Sequence, residues 1–312
     1  MKPPTQRDAF WNRVFEQAAA DENVMIVSAD MAAPALDQFR RKLPAQFVNV
    51  GIAEQNTILV AAGLALEGKK VYAYAIAPFI TYRCFEQIKI YLAGMNLPVT
   101  VVGVGAGLSY DDSGPTHHTI EDISVMRILP HLRVYTMTDS VMAAAFAGLS
   151  REMKHPHYVR LDRQRLPALY REDADYSSGL AVLREGKGIA LVATGNMVHR
   201  ALEAAEDLEK KGISARVIDA FALPLDPGAL RRALAGCPRA VTLEEHTLPG
   251  GFGSAVLEAL AEGGKGFPVL RIGLDMSRGD CYKYGGRSNL QSLYGLDRKK
   301  IVSTVLDYAA AG

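Results

Sequence analysis

The chain has 312 residues, 49% of them hydrophobic and 22% charged, and its 35 basic and 34 acidic side chains leave a formal charge of +1. That length exceeds one ordinary domain, and so balanced a composition is that of a soluble globular protein without the basic excess that drives nucleic-acid binding. Cys84, Cys237 and Cys281 stand far apart with no CxxC or Cys/His pairing, so they read as reduced thiols rather than a zinc set, and neither a leader core nor a membrane-length apolar run is present, which points to a cytoplasmic protein.

From the N-terminus, Thr5 is placed to cap a helix over 6–20, and apolar, β-branched runs predict strands at 24–28, 47–50, 70–76, 98–104, 132–136 and 157–161. Helical patterns near 53–67, 80–94, 118–128 and 138–152 fall between them. This alternation predicts an α/β fold, a mainly parallel sheet flanked by helices on both faces. The helix after the second strand carries apolar residues at 52, 59, 62 and 66, and Glu54 falls in its first turn. Orphan N–H groups and the positive end of the helix dipole favour a carboxylate there, so pattern alone reads Glu54 as an ordinary first-turn acid. Gly103-Val104-Gly105-Ala106-Gly107 follows a strand but opens no helix, and the acid that completes a dinucleotide site is missing.

After Asp162-Arg163-Gln164-Arg165-Leu166-Pro167 the pattern dissolves. Residues 171–187 read as a linker between a first domain over 1–170 and a second over 188–312. The second domain opens with a strand from 188, continues through a helix at 197–212 and strands at 214–219, 239–244 and 268–273, and ends in a helix near 298–310. Gly250-Gly251-Phe252-Gly253, following Glu244-Glu245-His246, reads as a turn into a helix N-terminus that either holds an anion or simply turns the chain.

Three pieces of the first domain, Gly51-Ile52-Ala53-Glu54-Gln55, Ala77-Pro78-Phe79-Ile80-Thr81-Tyr82-Arg83 and Gly114-Pro115-Thr116-His117-His118, resemble in order and spacing the pyrimidine-binding domain of transketolases. Val192 to Val198, Asp219 to Asp226, Glu244 to Gly253 and Leu293-Tyr294-Gly295-Leu296-Asp297 look like that family's C-terminal domain. The resemblance runs nearly the whole chain. It implies two α/β domains, thiamine diphosphate with Mg²⁺ as cofactor, and transfer of a two-carbon ketol unit from a ketose to an aldose.

The same resemblance implies residue roles. Glu54 hydrogen-bonds the cofactor's pyrimidine ring nitrogen and promotes the imino tautomer that acts as internal base, a task for which burial suits an acid. Phe79 and Tyr82 stand around the pyrimidine ring, and Ile76 occupies a place where the family often carries another aromatic. His117 faces the substrate for hydrogen bonding and proton transfer, and His118 shares that role or caps the next helix with Thr116. Asp30 lies close to the cofactor. Arg163 binds a sugar phosphate, with Arg160 nearby and Arg7 a further candidate for the same anion.

The family's donor-phosphate pocket also uses a serine just after the Asp30 position and a histidine upstream of Gly-Pro-Thr-His, where Pro34 and Gly105 or their neighbours stand. Ser113, with Asp111 and Asp112 upstream, replaces the acid before that motif, so the sugar and its phosphorylation stay open. No Gly-Asp-Gly, the family's metal and diphosphate motif, occurs. The resemblance therefore implies a split transketolase. This chain is then inactive alone, dimerises, and pairs with an N-terminal subunit holding Mg²⁺ and diphosphate in an α2β2 assembly. The alternatives are a deoxyxylulose-phosphate-synthase-like or 2-oxo acid dehydrogenase beta-like subunit, and a non-catalytic scaffold that keeps the fold.

Overall fold

Six strands form where the β-branched runs lie: Val24–Ser28 (β1), Phe47–Asn49 (β2), Lys70–Ile76 (β3), Thr100–Val104 (β4), Arg133–Thr136 (β5) and His157–Leu161 (β6). They pair in parallel in the order β5-β6-β4-β3-β1-β2. β1, β4 and β6 are buried along their whole length, which is why their sequences are apolar without alternation. The computed structural model describes residues 3–31, 34–261, 264, 266–278 and 282–311. It divides into two units, Met1–Ser109 with Thr116–Ala174, and Tyr110–Pro115 with Asp175–Gly312. Cys281 lies outside the described residues.

In the first unit, helix α1 (Gln6–Ala20) starts at Thr5, whose Oγ1 accepts from the Asp8 N–H at 3.1 Å, as its sequence predicts. α1 packs on the helix Ser140–Ser150 and presents Phe10 and Trp11 to the sheet, with Trp11 edge-on to Tyr74 at 4.9 Å. Helix α2 (Pro34–Lys42) went unanticipated because its only apolar anchors are Ala35, Leu36 and Phe39; Phe39 seats against Phe15 at 5.1 Å and Trp11 at 6.3 Å.

Helix α3 (Glu54–Leu66) buries Thr57, Ile58, Ala61 and Ala62 and turns Leu59 and Leu66 outward, while Ile52 precedes it and is exposed, so of the four apolar positions expected on this helix only Ala62 is inside. Ile58 and three smaller residues sit inward, where α3 lies against β1 and β3. The helix expected at 80–94 is instead a short helix α4 (Ala77–Thr81), then Phe85–Gln87 running into a wide π-type turn over Ile88–Ala93. Gly103 on β4 lets the start of α4 approach the sheet: a Cβ there would meet Tyr158 at 2.8 Å and the Ala77 backbone at 3.0 Å.

In the second unit the strands run in the order Val269–Leu274, Ala240–Thr247, Ile189–Ala193, Ala215–Ala220, Leu180–Arg184. The first four are mutually parallel, and Leu180–Arg184 pairs antiparallel with Ala215–Ala220. The stretch read as linker thus contains an edge strand, half-exposed and too short to show a period. The Gly250–Gly253 turn leads into the helix Phe252–Ala261, and the anion at its N-terminus is the chain's own: Glu244 accepts from Phe252 N at 2.6 Å and Gly253 N at 2.8 Å. Beside it, buried Glu245 is paired with Arg287 at 3.0 and 2.6 Å and with Gln291 at 2.7 Å.

Candidate active site

The residues singled out from sequence in the first unit follow the carboxyl ends of its parallel strands. Asp30 comes after β1, Glu54 after β2, Phe79 and Tyr82 after β3, His117 and His118 after β4, and Arg163 after β6. That edge is where open α/β sheets bind ligands.

Glu54 is the first residue of α3, reached through Gly51 at φ +76°, a left-handed conformation that suits glycine. Its side chain is only 5% exposed, and a carboxylate so buried needs a partner. Arg83 Nη1 supplies it, donating to Glu54 Oε2 at 2.8 Å. The Arg83 guanidinium also lies over the Phe79 ring, 4.3 Å from its centroid, and Phe79 meets His117 edge-on at 5.1 Å. Acid, cation, aromatic ring and imidazole therefore form one chain of contacts. Gln55 Nε2 donates to the Arg83 carbonyl at 3.1 Å, and Thr116 Oγ1 lies 2.9 Å from His117 Nδ1.

The Cys84 thiol borders this group, donating to the Phe79 carbonyl at 3.2 Å. Burial, followed by the negative charge of Glu54, pushes it up to about 12, so it stays protonated and inert.

Tyr82 is half-buried, and its hydroxyl donates to Glu121 Oε2 at 2.9 Å while accepting from Glu121 N at 2.9 Å. Burial first, then the charges of Asp122 and Glu121, raise its phenol far above the ordinary range, so it remains a donor. Asp30 sits at φ +47° and shares two hydrogen bonds with Asn49. Ile76 ends β3, half-buried, immediately before α4. His118 is buried, His117 half-buried and Arg163 exposed.

Two of the arginines read as anion ligands are engaged elsewhere. Arg160 is buried, with Nε on Asp122 Oδ2 at 2.6 Å and a terminal nitrogen on the Thr119 carbonyl at 3.0 Å; Tyr158 donates to the same Asp122 oxygen at 2.8 Å. It fastens the loop after β4 to β6 and faces no solvent. Arg7 pairs with its neighbour Asp8 at 3.0 Å.

Arg83 and Asn49 are the members of the site that sequence reasoning passed over. Arg83 closes the motif Ala77–Arg83 but was given no role there, and only the fold brings it to Glu54, 29 positions away. Among the described residues no group of three or more His, Cys, Asp or Glu side chains could hold a metal ion, and no helix is long and apolar enough to cross a membrane.

Residues 2–168 match the family model for the transketolase pyrimidine-binding domain, and residues 179–301 match that for the transketolase C-terminal domain. The chain is 35% identical to one of the subunits of an apulose-4-phosphate transketolase of Phocaeicola vulgatus, over 97% of this chain and 96% of that one. It is 35% identical to a 6-deoxy-6-sulfo-D-fructose transketolase subunit of a Clostridium species, over 95% of this chain and 92% of that one. A solved structure described as a split gene transketolase, inactive beta4 tetramer, superposes with a TM-score of 0.87 at 33% identity, covering 99% of both chains. With two successive domain models matched and relatives aligned end to end, the chain belongs to the transketolase family of thiamine diphosphate enzymes.

Proposed function

We propose that the chain is the C-terminal subunit of a two-component transketolase, in which it forms the pyrimidine side of the thiamine diphosphate site and a partner subunit forms the diphosphate and Mg²⁺ side. The observation that carries this reading is Glu54, a carboxylate 5% exposed at a helix N-terminus, in contact through Arg83 with Phe79 and, beyond it, His117. A flat, basic ring fits such a place: it finds a carboxylate for its nitrogen and an aromatic neighbour for its face. When bound, thiamine diphosphate would supply a nucleophilic carbanion and a cationic thiazolium ring that accepts the electrons of the bond cleaved beside a ketose carbonyl.

Glu54 would hold the pyrimidine nitrogen by a hydrogen bond, Phe79, Ile76 and Tyr82 would enclose the ring, and Asp30 would border it. His117 would move a proton at the substrate's carbonyl and hydroxyl oxygens, a role that buried His118 would share. Arg163, exposed past β6, donates to an anionic end of the sugar. The relatives' substrate names carry a phosphate in one case and a sulfo group in the other, which supports an anionic donor without choosing between them. Arg160 and Arg7 are left out of this assignment because of the pairings described above.

The absence of Gly-Asp-Gly from the sequence supports a partner that holds diphosphate and metal. Self-association is supported by the outward apolar side chains of α3 and the turn beside it: Ile52, 80% exposed, Leu59, Leu66, Ile90, Tyr91 and Met95. The related beta4 tetramer supports it as well. The buried free thiols of Cys84 and Cys237 fit a cytoplasmic setting.

The test is calorimetric titration of thiamine diphosphate and Mg²⁺ into this chain alone and into its mixture with a subunit carrying Gly-Asp-Gly, followed by a screen of phosphorylated, sulfonated and neutral ketose donors. Binding and ketol transfer only in the mixture are expected. Absence of binding in both removes the cofactor assignment.

A further inference from the structure

Arg83 makes three contacts that converge on the first turn of α3. Its Nη1 holds Glu54 Oε2 at 2.8 Å, its guanidinium covers the Phe79 ring at 4.3 Å, and its carbonyl accepts from Gln55 at 3.1 Å. Glu54 Oε1 receives no hydrogen bond from the described residues, so the carboxylate is held by one oxygen and presents the other. A guanidinium suits this double duty, because its planar fork can donate to a carboxylate in its own plane while stacking on an aromatic face; an ammonium can only neutralise. With 46% of its side chain exposed, Arg83 reaches Glu54 from the solvent side and is not needed to fill the core.

We propose that Arg83 is a positioning residue for Glu54: it locks the acid and the Phe79 ring into one unit, with Oε1 left for the ring nitrogen of a pyrimidine. The inference rests on the thiamine diphosphate reading above. Arg83 itself touches neither cofactor nor substrate in this scheme. The bland account of the same pair is charge compensation, in which any cation beside Glu54 would serve. The two accounts part at lysine. Compensation survives Arg83→Lys, whereas positioning loses the stacked plane and the directed donor.

The experiment uses the mixture with the Gly-Asp-Gly subunit and titrates thiamine diphosphate with Mg²⁺ into wild type, Arg83→Met, Arg83→Lys, Glu54→Gln and the double variant Glu54→Gln/Arg83→Met, with thermal melting of each chain without cofactor. Arg83→Met is expected to weaken binding about tenfold or more, the scale of one hydrogen bond to a charged group, and Arg83→Lys to recover only part of it. The double variant is expected to bind no more weakly than Glu54→Gln alone, since Arg83 acts through the acid. Melting midpoints are expected to stay close to wild type for Arg83→Lys and Glu54→Gln and to fall for Arg83→Met, which leaves the buried Glu54 carboxylate without its partner; if Arg83→Met does not fold, Arg83→Lys carries the comparison. Wild-type affinity in Arg83→Lys, or an equal loss from Arg83→Met in the Glu54→Gln background, overturns the proposal while the cofactor reading stands. Failure of wild type to bind overturns both.

Discussion

Asn49 and Asp30 clasp each other across the ends of β2 and β1: Asn49 Nδ2 donates to Asp30 Oδ1 at 2.9 Å, and Asn49 Oδ1 accepts from Asp30 N at 3.1 Å. The same Asn49 oxygen accepts from Gly51 N at 3.0 Å. One amide therefore ties a residue held at φ +47° to the turn that aims Glu54. A non-glycine residue stays in that region only when its surroundings hold it.

Replacing Asn49 with alanine is expected to lower stability by about 1–2 kcal/mol, the loss of hydrogen bonds at a partly exposed site. Cofactor affinity of the two-subunit mixture should fall further than that loss explains, because both Asp30 and the approach to Glu54 relax. Denaturant unfolding and calorimetric titration of the same preparation check it; a loss of stability with unchanged affinity would remove Asn49 from the site.

Glu54→Gln keeps the shape of the side chain and removes its charge. Arg83 is left without a partner but is half-exposed, so water can solvate it and the folded chain should change little in stability. Ketol transfer by the mixture is expected to fall by at least about 10²-fold, the scale of lost acid–base assistance. Activity within a few-fold of wild type would send the Glu54 assignment back to an ordinary first-turn acid.

Arg160 and Arg163 are three positions apart and should respond in opposite ways. Arg160→Met leaves Asp122 buried without its cation, and breaking such a pair costs on the order of 3–5 kcal/mol. Arg163→Ala removes an exposed side chain and should cost far less stability than Arg160→Met while raising the KM for an anionic donor. Thermal melts of the chain alone and donor titrations of the mixture separate the two effects. An Arg160→Met chain as stable as wild type would show that the Asp122 pair carries no structural weight.

Local pattern was enough to place most of this fold. The strands β1, β3 and β6 and the helices 6–20 and 298–310 are set by continuous apolar runs and by the caps Thr5 and Asp297, all within a few residues of each other. Glu54, Phe79 and His117 were singled out by the resemblance of their motifs to a family, and the fold links them in one chain of contacts through Arg83. What pattern could not show was pairing at a distance. Arg160 looks like an anion ligand until Asp122, 38 positions earlier, is brought against it, and Arg83 looks like surface until it meets Glu54. The same limit explains α3, where the sheet it packs on, not the helix's own pattern, decides that Thr57, Ile58, Ala61 and Ala62 face inward while Leu59 and Leu66 face out. The edge strand Leu180–Arg184 exists because Ala215–Ala220 offers it a ladder, information its own five residues do not contain.

His157 gives the chain a built-in sensitivity to acid. It is fully buried at the start of β6, where its Nδ1 donates to the His155 carbonyl at 2.9 Å and its Nε2 lies 2.9 Å from Thr100 Oγ1, an arrangement that suits neutral imidazole. Burial, and then the adjacent His155, hold its pKa down at about 4, against 6.5 for an ordinary histidine. Between those values the unfolded chain binds a proton that the folded chain refuses. Stability from this group is therefore fully present above about pH 6.5 and drains away as pH falls toward 4, by roughly 3 kcal/mol. His157→Gln can still donate to the His155 carbonyl and accept from Thr100, and it does not titrate. The variant should be less stable than wild type at pH 7.5 from imperfect packing, yet lose about 2–3 kcal/mol less than wild type on going to pH 4.5. Urea unfolding of both proteins at the two pH values measures that difference, because the carboxylates are the same in both; equal losses would show that His157 takes up its proton without unfolding the chain.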